Sequence, residues 1–356
     1  MGRRLAWIEA ARTLNCALVV LAHVNIYTRA GVDTWWPGGF YAVPVLSLAV
    51  PSFFIIAGYA VDMGAGSGKS AMLSRVRRLV VPFLAWSLIT YLVMAEPGLS
   101  VRDSVFRILT GTWHLYFVFA LLQLLILYAL VVPALDARRL RSIVVIAVAL
   151  TIASYALSEI ILWFNGADNG TAEALLRKLF PLWAGFFAIG VWWRRRGSRS
   201  FDTTGKIIIA LVIAAAFGAY IVDLKLEDHA FGFTPRKQLL FGGLAFQMLG
   251  ASTMLVMIEK LDGHPVIDML AKWGRDTYGI YLVHISVMLL LYRLVLSAGW
   301  MTVHWSEVPL LTAATFLISL ATVRVIRATR MSWLKLVFLG EANRASQSGS
   351  VSRIES

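Results

Sequence analysis

Hydrophobic residues in this chain do not alternate or recur on one narrow face. They run in stretches of about twenty, long enough to cross the apolar core of a bilayer as helices. Ten such stretches are read at roughly 5–27, 40–62, 78–95, 113–133, 142–163, 176–193, 206–223, 239–259, 277–298 and 307–328. Short polar segments separate them. Several contain Pro or Gly, which a bundle tolerates where neighbouring helices satisfy the freed backbone groups. No strand-like domain, long linker or internal repeat is visible. The pattern predicts an all-α, polytopic transmembrane helix bundle of about ten spans over residues 1–340. The Ser-rich tail 341–356 (EANRASQSGSVSRIES) is expected to be disordered.

Charge orients the bundle. About three quarters of the 33 Lys and Arg residues lie on the side of the N-terminus once the spans are counted off, the excess that cytoplasmic loops carry. Both termini are therefore expected in the cytoplasm. The same bias accounts for the formal net charge of +13 without a nucleic-acid partner. Composition agrees with a membrane protein: 59% of residues are hydrophobic and 15% charged, and the mean hydropathy is +0.72. The single cysteine, Cys16, has no partner for an intrachain disulfide. Met-Gly-Arg-Arg resembles a signal-peptide start, but Glu9 and Arg12 follow it and no small-residue cleavage site does. The first span is expected to be retained.

That first span, LAWIEAARTLNCALVVLAHVNIY, carries Glu9, Arg12, Asn15 and His23. An ionisable group inside a membrane helix costs about 2.5–3.5 kcal/mol on insertion scales, so such groups tend to mark a site. Arg12 and His23 are eleven residues apart, which returns them to within roughly 20° of one face and separates them by roughly 16 Å along the axis. Glu9 is one turn before Arg12 and within pairing reach. A plainer reading stays open: Arg12 reaches to the headgroups, Glu9 neutralises it, and His23 bonds a buried carbonyl.

Further polar groups recur in order. AVPSFFIIAGYAVDMG (49–64) places Pro51 and Gly58 where a helix is broken and closely approached. SRVRRLVVPFLAW (74–86) puts Arg75 and Arg78 on one helix face with Arg77 beside them, a fit for a phosphate-bearing ligand or for simple positive-inside topology. TGTWHLYFVFALLQLL (110–125) sets His114 between Trp113 and Tyr116. KWGRDTYGIYLVHISV (272–287) aligns Tyr278, Tyr281 and His284 three apart behind Asp276, an edge suited to chemistry or to hydrogen bonding within the bundle. No spacing of His, Cys and carboxylates suggests a metal, and no phosphate-cradling glycine loop is present.

Taken together these segments resemble the acyltransferase-3 family of integral membrane acyltransferases. The family's first span carries an acidic residue, an Arg, ten residues and a His; here these are Glu9, Arg12 and His23. Its Phe-Phe…Ser-Gly-Tyr signature matches Phe53, Phe54 and Ala57-Gly58-Tyr59. Its Arg-x-x-Arg ahead of Pro and Trp matches Arg75, Arg78, Pro82 and Trp86. His114-Leu115-Tyr116-Phe117 is similar to its His-Leu-Trp-Phe, and Ile280, Tyr281 and His284 match its Thr-Leu-x-Ile-Tyr-x-x-His. Glu9 stands for a more usual Asp, Ala57 for a more usual Ser, and Asn15 where small residues are common. No esterase-like domain follows the last span, so a single-domain member is expected.

The resemblance implies a cytoplasmic acyl donor, usually acetyl-CoA, and a hydroxyl acceptor on a glycan, glycolipid, lipid-linked sugar or small product. In that reading Arg75 and Arg78, helped by Arg77 or Arg12, hold the donor's phosphates, and His23 is the general base or is itself acylated. Arg12 or Tyr281 stabilises the oxyanion, Glu9 orients Arg12, and His114 and His284 are further site candidates. It also implies a bacterial cytoplasmic membrane location with lipid as surroundings. A polysaccharide or lipid-linked-sugar transporter, or flippase, is the rival class. The acceptor, the acyl chain and the oligomeric state are not fixed by the sequence.

Overall fold

The structure is a computed structural model, and it describes residues 5–29, 44–61, 69–94, 100–131, 137–165, 175–196, 210–222, 241–297 and 307–341. Among these residues the chain is helical and holds no strand. The helices in order are α1 (Ala6–Arg29), α2 (Ala49–Val61), α3 (Lys69–Val93), α4 (Val101–Thr110), α5 (Tyr116–Val131), α6 (Ala137–Asn165) and α7 (Ala184–Arg196). There follow α8 (Ala210–Val222), α9 (Phe241–Lys260), α10 (Pro265–Ala271), α11 (Thr277–Ser297), α12 (Val308–Ala328) and α13 (Ser332–Leu339).

Seven segments are long and apolar enough to cross a membrane, and each falls on one of the ten stretches read from the sequence. The other three take different forms. Residues 176–193 become a short 3₁₀ turn, Phe180–Trp183, followed by the 13-residue α7. Residues 206–223 contain the short helix α8. Residues 239–259 contain α9, which bends by 109° into α10, so the pair forms a broken span or a re-entrant loop. The expected tail lies outside the described residues except for Glu341.

The lipid-type surface is plain in the side chains. Val145, Ile146, Leu130 and Leu310 are each more than 60% exposed, on a scale that would be costly in water. α4 is different: Ser100 caps it by accepting from the Asp103 amide at 3.1 Å. It exposes Val101, Val105, Phe106 and Leu109 while carrying Arg102 and Arg107. That is the make-up of a helix lying at an interface.

α1 runs through the centre and packs on α2, α9, α10, α11 and α12. Its first turn is pinned where the Trp7 amide donates to Asp262 Oδ1 at 3.0 Å. Thr13 Oγ1 donates to Leu270 O at 2.9 Å, and Cys16 Sγ lies 3.7 Å from Thr277 O. α2 and α7 cross in close backbone contact. A Cβ on Gly58 would stand 2.0 Å from Phe187 O, and a Cβ on Gly190 would stand 2.0 Å from Ile55 O. The small-residue face predicted at Gly58 is thus reciprocal. Pro51 falls in the first turn of α2, because the helix restarts at Ala49 after a turn at Leu48, so its missing N–H leaves no bond unmade.

At the end of the bundle that bears the N-termini of α1, α3 and α11, a buried Asp276 pairs with Arg324 at 3.3 Å and with Arg327. Arg327 also grips Glu341 at 2.7 Å. These pairs tie the start of α11 to α12 and to the residues after α13.

The α2–α7 contact sets a stability prediction. Carbonyl oxygens of the backbone cannot move aside as side chains do, so Gly58→Ala or Gly190→Ala is expected to cost at least about 1–3 kcal/mol. Gly218→Ala on α8, whose Cβ would meet nothing within 4 Å, is expected to cost nothing. Thermal unfolding of the three variants in one detergent checks the ordering, and equal melting points would refute it.

Candidate active site

Three elements converge on one buried cluster. α1 brings His23, α11 brings Tyr281 and His284, and the turn ahead of α5 brings His114. Ring centroids lie 4.7 Å apart for His114–His284, 5.1 Å for His23–His284 and 5.8 Å for His23–His114. Tyr281 lies 5.2 Å from His114 and 5.8 Å from His284. His114 and His284 are buried and His23 is partly exposed.

His114 reaches this place through an unusual turn. α4 ends at Gly111 with φ +90°, and Trp113 has φ +52°, in the left-handed region that non-glycine residues avoid. A Cβ on Gly111 would sit 2.7 Å from the Leu115 backbone. Thr112 Oγ1 donates to Ser87 O at 3.3 Å and fastens the turn to α3. Strain held by surrounding packing is a feature of functional sites.

The hydrogen bonds fix the proton positions of the neutral rings, because a carbonyl oxygen can only accept. His284 Nδ1 is 2.7 Å from Tyr281 O, so Nδ1 carries the proton and Nε2 keeps its lone pair. His23 Nδ1 is 2.8 Å from Val19 O and likewise carries its proton. That same N–H is 3.3 Å from His284 Nε2, which accepts a second share of it. His23 Nε2 is then a lone pair, and among the described residues no hydrogen bond engages it. His114 Nε2 donates to Tyr281 O at 3.1 Å, and the Tyr281 hydroxyl donates back to His114 O. His114 Nδ1 is buried and has no partner among the described residues.

Aromatic packing supports the cluster from behind. Phe117 lies 5.5 Å from Tyr281 and packs on Phe53 at 5.7 Å and Phe54 at 4.7 Å. Tyr59 instead serves the other end, 5.2 Å from Trp7 and 6.0 Å from Trp193.

The charged candidates sit at a different level. Arg12 Nη1 donates to the buried Glu9 at 3.2 Å. Gly274 backs directly on that carboxylate, since a Cβ there would be 2.5 Å from Glu9 Oε2. Helix rise keeps Arg12 roughly 16 Å along the axis from His23. On α3, Arg75 Nη1 donates to Val61 O at 3.0 Å, at the end of α2, while Arg77 and Arg78 are exposed. No carboxylate pairs with Arg75, Arg77 or Arg78 among the described residues.

Contacts show that these arginines share one end. Cys16 on α1 meets Thr277 on α11, and the Tyr278 hydroxyl on α11 donates to Leu79 O on α3 at 3.1 Å. Arg12 is one turn before Cys16, and Arg75 and Arg78 lie within about one turn of Leu79. From that level, seven residues of α1 or α11 lead to His23 or His284, a rise of about 10 Å. The structure therefore brings His23, His114, Tyr281 and His284 together and gathers Glu9, Arg12, Arg75, Arg77 and Arg78 at one end, apart from them.

Two polar groups inside the bundle carried no weight in the sequence reading. Gln123, in the middle of an apolar run, bridges Lys178 O at 2.7 Å and the Phe180 amide at 3.2 Å. Tyr155 donates to Gln247 at 2.7 Å between α6 and α9. An amide within an apolar run is the signal that would have found them. Among the described residues no group of three or more His, Cys, Asp or Glu is arranged to hold a metal ion.

A search of curated proteins found no match, and neither did a search of solved structures. A family profile described as an acyltransferase domain matches residues 5–324, a stretch that holds every helix from α1 to α11 and all of the charged and imidazole candidates. With that match over nearly the whole chain, and with apolar helices of membrane-crossing length, the chain belongs to the acyltransferase-3 family of integral membrane acyltransferases.

Proposed function

We propose that this protein is a membrane O-acyltransferase that moves an acyl group, acetyl by family precedent, from acyl-CoA to a hydroxyl of a cell-surface glycan or lipid-linked sugar. The observation that carries the reading is the lone pair left on His23 Nε2 by the hydrogen bonds of its cluster. It sits on the partly exposed ring of the three, where a hydroxyl can reach it. A base must lie within hydrogen-bond reach of the proton it takes.

Each group has a part. Arg75, Arg77 and Arg78, without carboxylate partners, suit the phosphates of a polyanionic donor. Arg12, neutralised in part by Glu9, belongs by its distance to that same donor end. The thioester supplies the acyl group. His23 Nε2 accepts the proton of the attacking hydroxyl as the new C–O bond forms and the C–S bond breaks, and returns it to the departing thiolate. His284 Nε2 accepts the Nδ1 proton of His23 and holds the ring in this tautomer. The buried, partnerless Nδ1 of His114 is placed to accept from a substrate hydroxyl. Tyr281 acts through its carbonyl, which holds two of the rings.

With both termini in the cytoplasm, as the charge bias suggests, the donor binds on the cytoplasmic side and the histidines lie towards mid-depth. That geometry favours an acceptor approaching from the opposite side. The location in a bacterial cytoplasmic membrane belongs to the same reading.

Three variants test it. His23→Ala in purified protein is expected to keep acetyl-CoA affinity and to lose about 10²–10⁴-fold in turnover. The double variant Arg75→Ala/Arg78→Ala is expected to weaken acetyl-CoA binding about 10- to 100-fold per lost contact to a charged group. His284→Phe, which leaves His23 Nδ1 without its second acceptor, is expected to reduce turnover less than His23→Ala and to shift the pH–rate profile. Binding is read by calorimetry and turnover by thiol release. Full turnover in His23→Ala removes the base assignment. No affinity of the wild type for any acyl-CoA removes the enzyme reading in favour of a transporter.

A further inference from the structure

In a membrane helix a buried Ser or Thr hydroxyl commonly donates to the carbonyl four residues earlier. Thr13 and Ser154 do so, at 3.1 Å and 2.8 Å. Ser87 and Thr90 on α3 do not. They are 0% and 1% exposed, and among the described residues neither hydroxyl has a hydrogen-bond partner. Nor does the buried Nδ1 of His114. A buried polar atom without a partner is unfavourable, and each one in a native fold asks for a physical account.

Their place supplies one. Phe83 stacks on Phe119 of α5 with ring centroids 6.5 Å apart. Ser87 and Thr90 follow Phe83 by four and seven residues, within roughly 40° of the same side of α3. Both hydroxyls therefore lie on the stripe that meets α5 and the turn ahead of it. Thr112 Oγ1, two residues before His114, donates to Ser87 O at 3.3 Å. The level is fixed by α11, which runs alongside α3: the Tyr278 hydroxyl donates to Leu79 O, and Arg293 Nη2 donates to Val93 O. Between those ties Ser87 falls about 4 Å beyond the level of His284, and Thr90 about 4–5 Å further. Both are on the side of the imidazoles away from the donor arginines.

With its proton on Nε2, His114 can only accept at Nδ1. Each hydroxyl donates one proton and also accepts. Thr112 adds no proton, having spent its own on Ser87 O. The set is uncharged. A ligand that meets it must donate to the imidazole and accept from the hydroxyls. An ionised carboxylate has nothing to donate to the imidazole lone pair, and a simple alcohol brings one oxygen for three atoms. Neighbouring hydroxyls on a sugar ring have the number and the mixed character that the set requires.

We propose that Ser87, Thr90 and His114 form the acceptor subsite, and that the acceptor presents an uncharged sugar ring there with two or more hydroxyls in contact. Ser87 and Thr90 donate to hydroxyls of this ring, and His114 Nδ1 accepts from one. A further hydroxyl of the ring is turned to His23 Nε2. The two α3 residues set specificity and take no proton in the transfer. This inference rests on the acyltransferase reading and gives its acceptor a chemical class.

The test uses the full chain in detergent, with acetyl-CoA as donor and thiol release as the readout. The probes are the methyl glycosides of glucose, galactose and N-acetylglucosamine, their monodeoxy derivatives, and octanol. The wild type is expected to use at least one glycoside better than octanol. For at least two monodeoxy derivatives of that glycoside it is expected to lose about 2- to 10-fold in kcat/KM, mostly through KM. Ser87→Ala and Thr90→Val are each expected to lose a similar factor with the parent sugar and to treat one deoxy derivative and the parent alike. Thr90→Ser, which keeps the hydroxyl, recovers most of that discrimination. Because the Thr90 hydroxyl bonds nothing in the fold, the melting temperature is expected to hold or rise in Thr90→Val. The proposal is overturned if octanol serves as well as the glycosides, or if removal of single hydroxyls leaves wild-type turnover unchanged. It is also overturned if the variants slow parent and deoxy sugars by the same factor, the mark of a merely structural role. The deoxy series on the wild type decides even where a variant fails to fold. Acetyl-CoA binding by the wild type, measured in parallel, separates the two failures: binding without use of any glycoside overturns this subsite, and no binding overturns the enzyme reading on which it rests.

Discussion

One carbonyl oxygen holds the candidate site together. Tyr281 O accepts from His284 Nδ1 on its own helix and from His114 Nε2 on a turn 167 positions earlier in the chain. Two imidazoles from different parts of the chain thus meet at one oxygen inside α11. The consequence spreads outward. With its Nδ1 proton committed, His284 keeps a lone pair on Nε2, which faces His23. The Tyr281 hydroxyl returns a bond to His114 O and locks the turn from its other side. Each ring is held in one tautomer by the backbone carbonyl that accepts from it.

Much of this was legible in the sequence, for physical reasons that differ by residue. Seven membrane-length helices follow from hydropathy because a bilayer sets a minimum apolar length. His23 and Arg12 stood out because charge inside an apolar run is expensive. Gly58 read as a packing position, and its carbonyl contact with Phe187 gives that reading a distance. The sequence offers His23, His114, Tyr281 and His284 as separate candidates, not as one cluster. The positive-φ turn at Gly111 and Trp113 is what brings His114 to His284. No helical periodicity encodes such a turn. The bend between α9 and α10 escaped for a similar reason: hydropathy reports length, not direction.

The departures from the family pattern gain a physical setting. Glu9 is one methylene longer than Asp, and Gly274 packs on it so closely that any side chain would collide with the carboxylate. Ala57 lies one residue before the Gly58 contact, so a hydroxyl is dispensable for the α2–α7 crossing. The Phe53-Phe54 pair reaches the site through Phe117, which stands between Phe54 and Tyr281. These motif residues support the imidazoles from one side while taking no part in their hydrogen bonds.

The segment after residue 324, beyond the matched family region, closes on the arginine-bearing helix. Pro82 lacks an N–H, so the carbonyl of Arg78 four residues earlier loses its helical donor. Gly340, left-handed at φ +69°, packs against that very oxygen, and a Cβ there would stand 2.0 Å from it. Trp86 Nε1 donates to Phe338 O at 3.1 Å one turn further along α3. Arg327, gripping both Glu341 and Asp276, anchors the same segment to the start of α11. A proline that weakens α3 is thus matched by a glycine that only a left-handed end of α13 provides. The backbone that carries Arg78 is held from outside the helix at the point where its own hydrogen bonding fails.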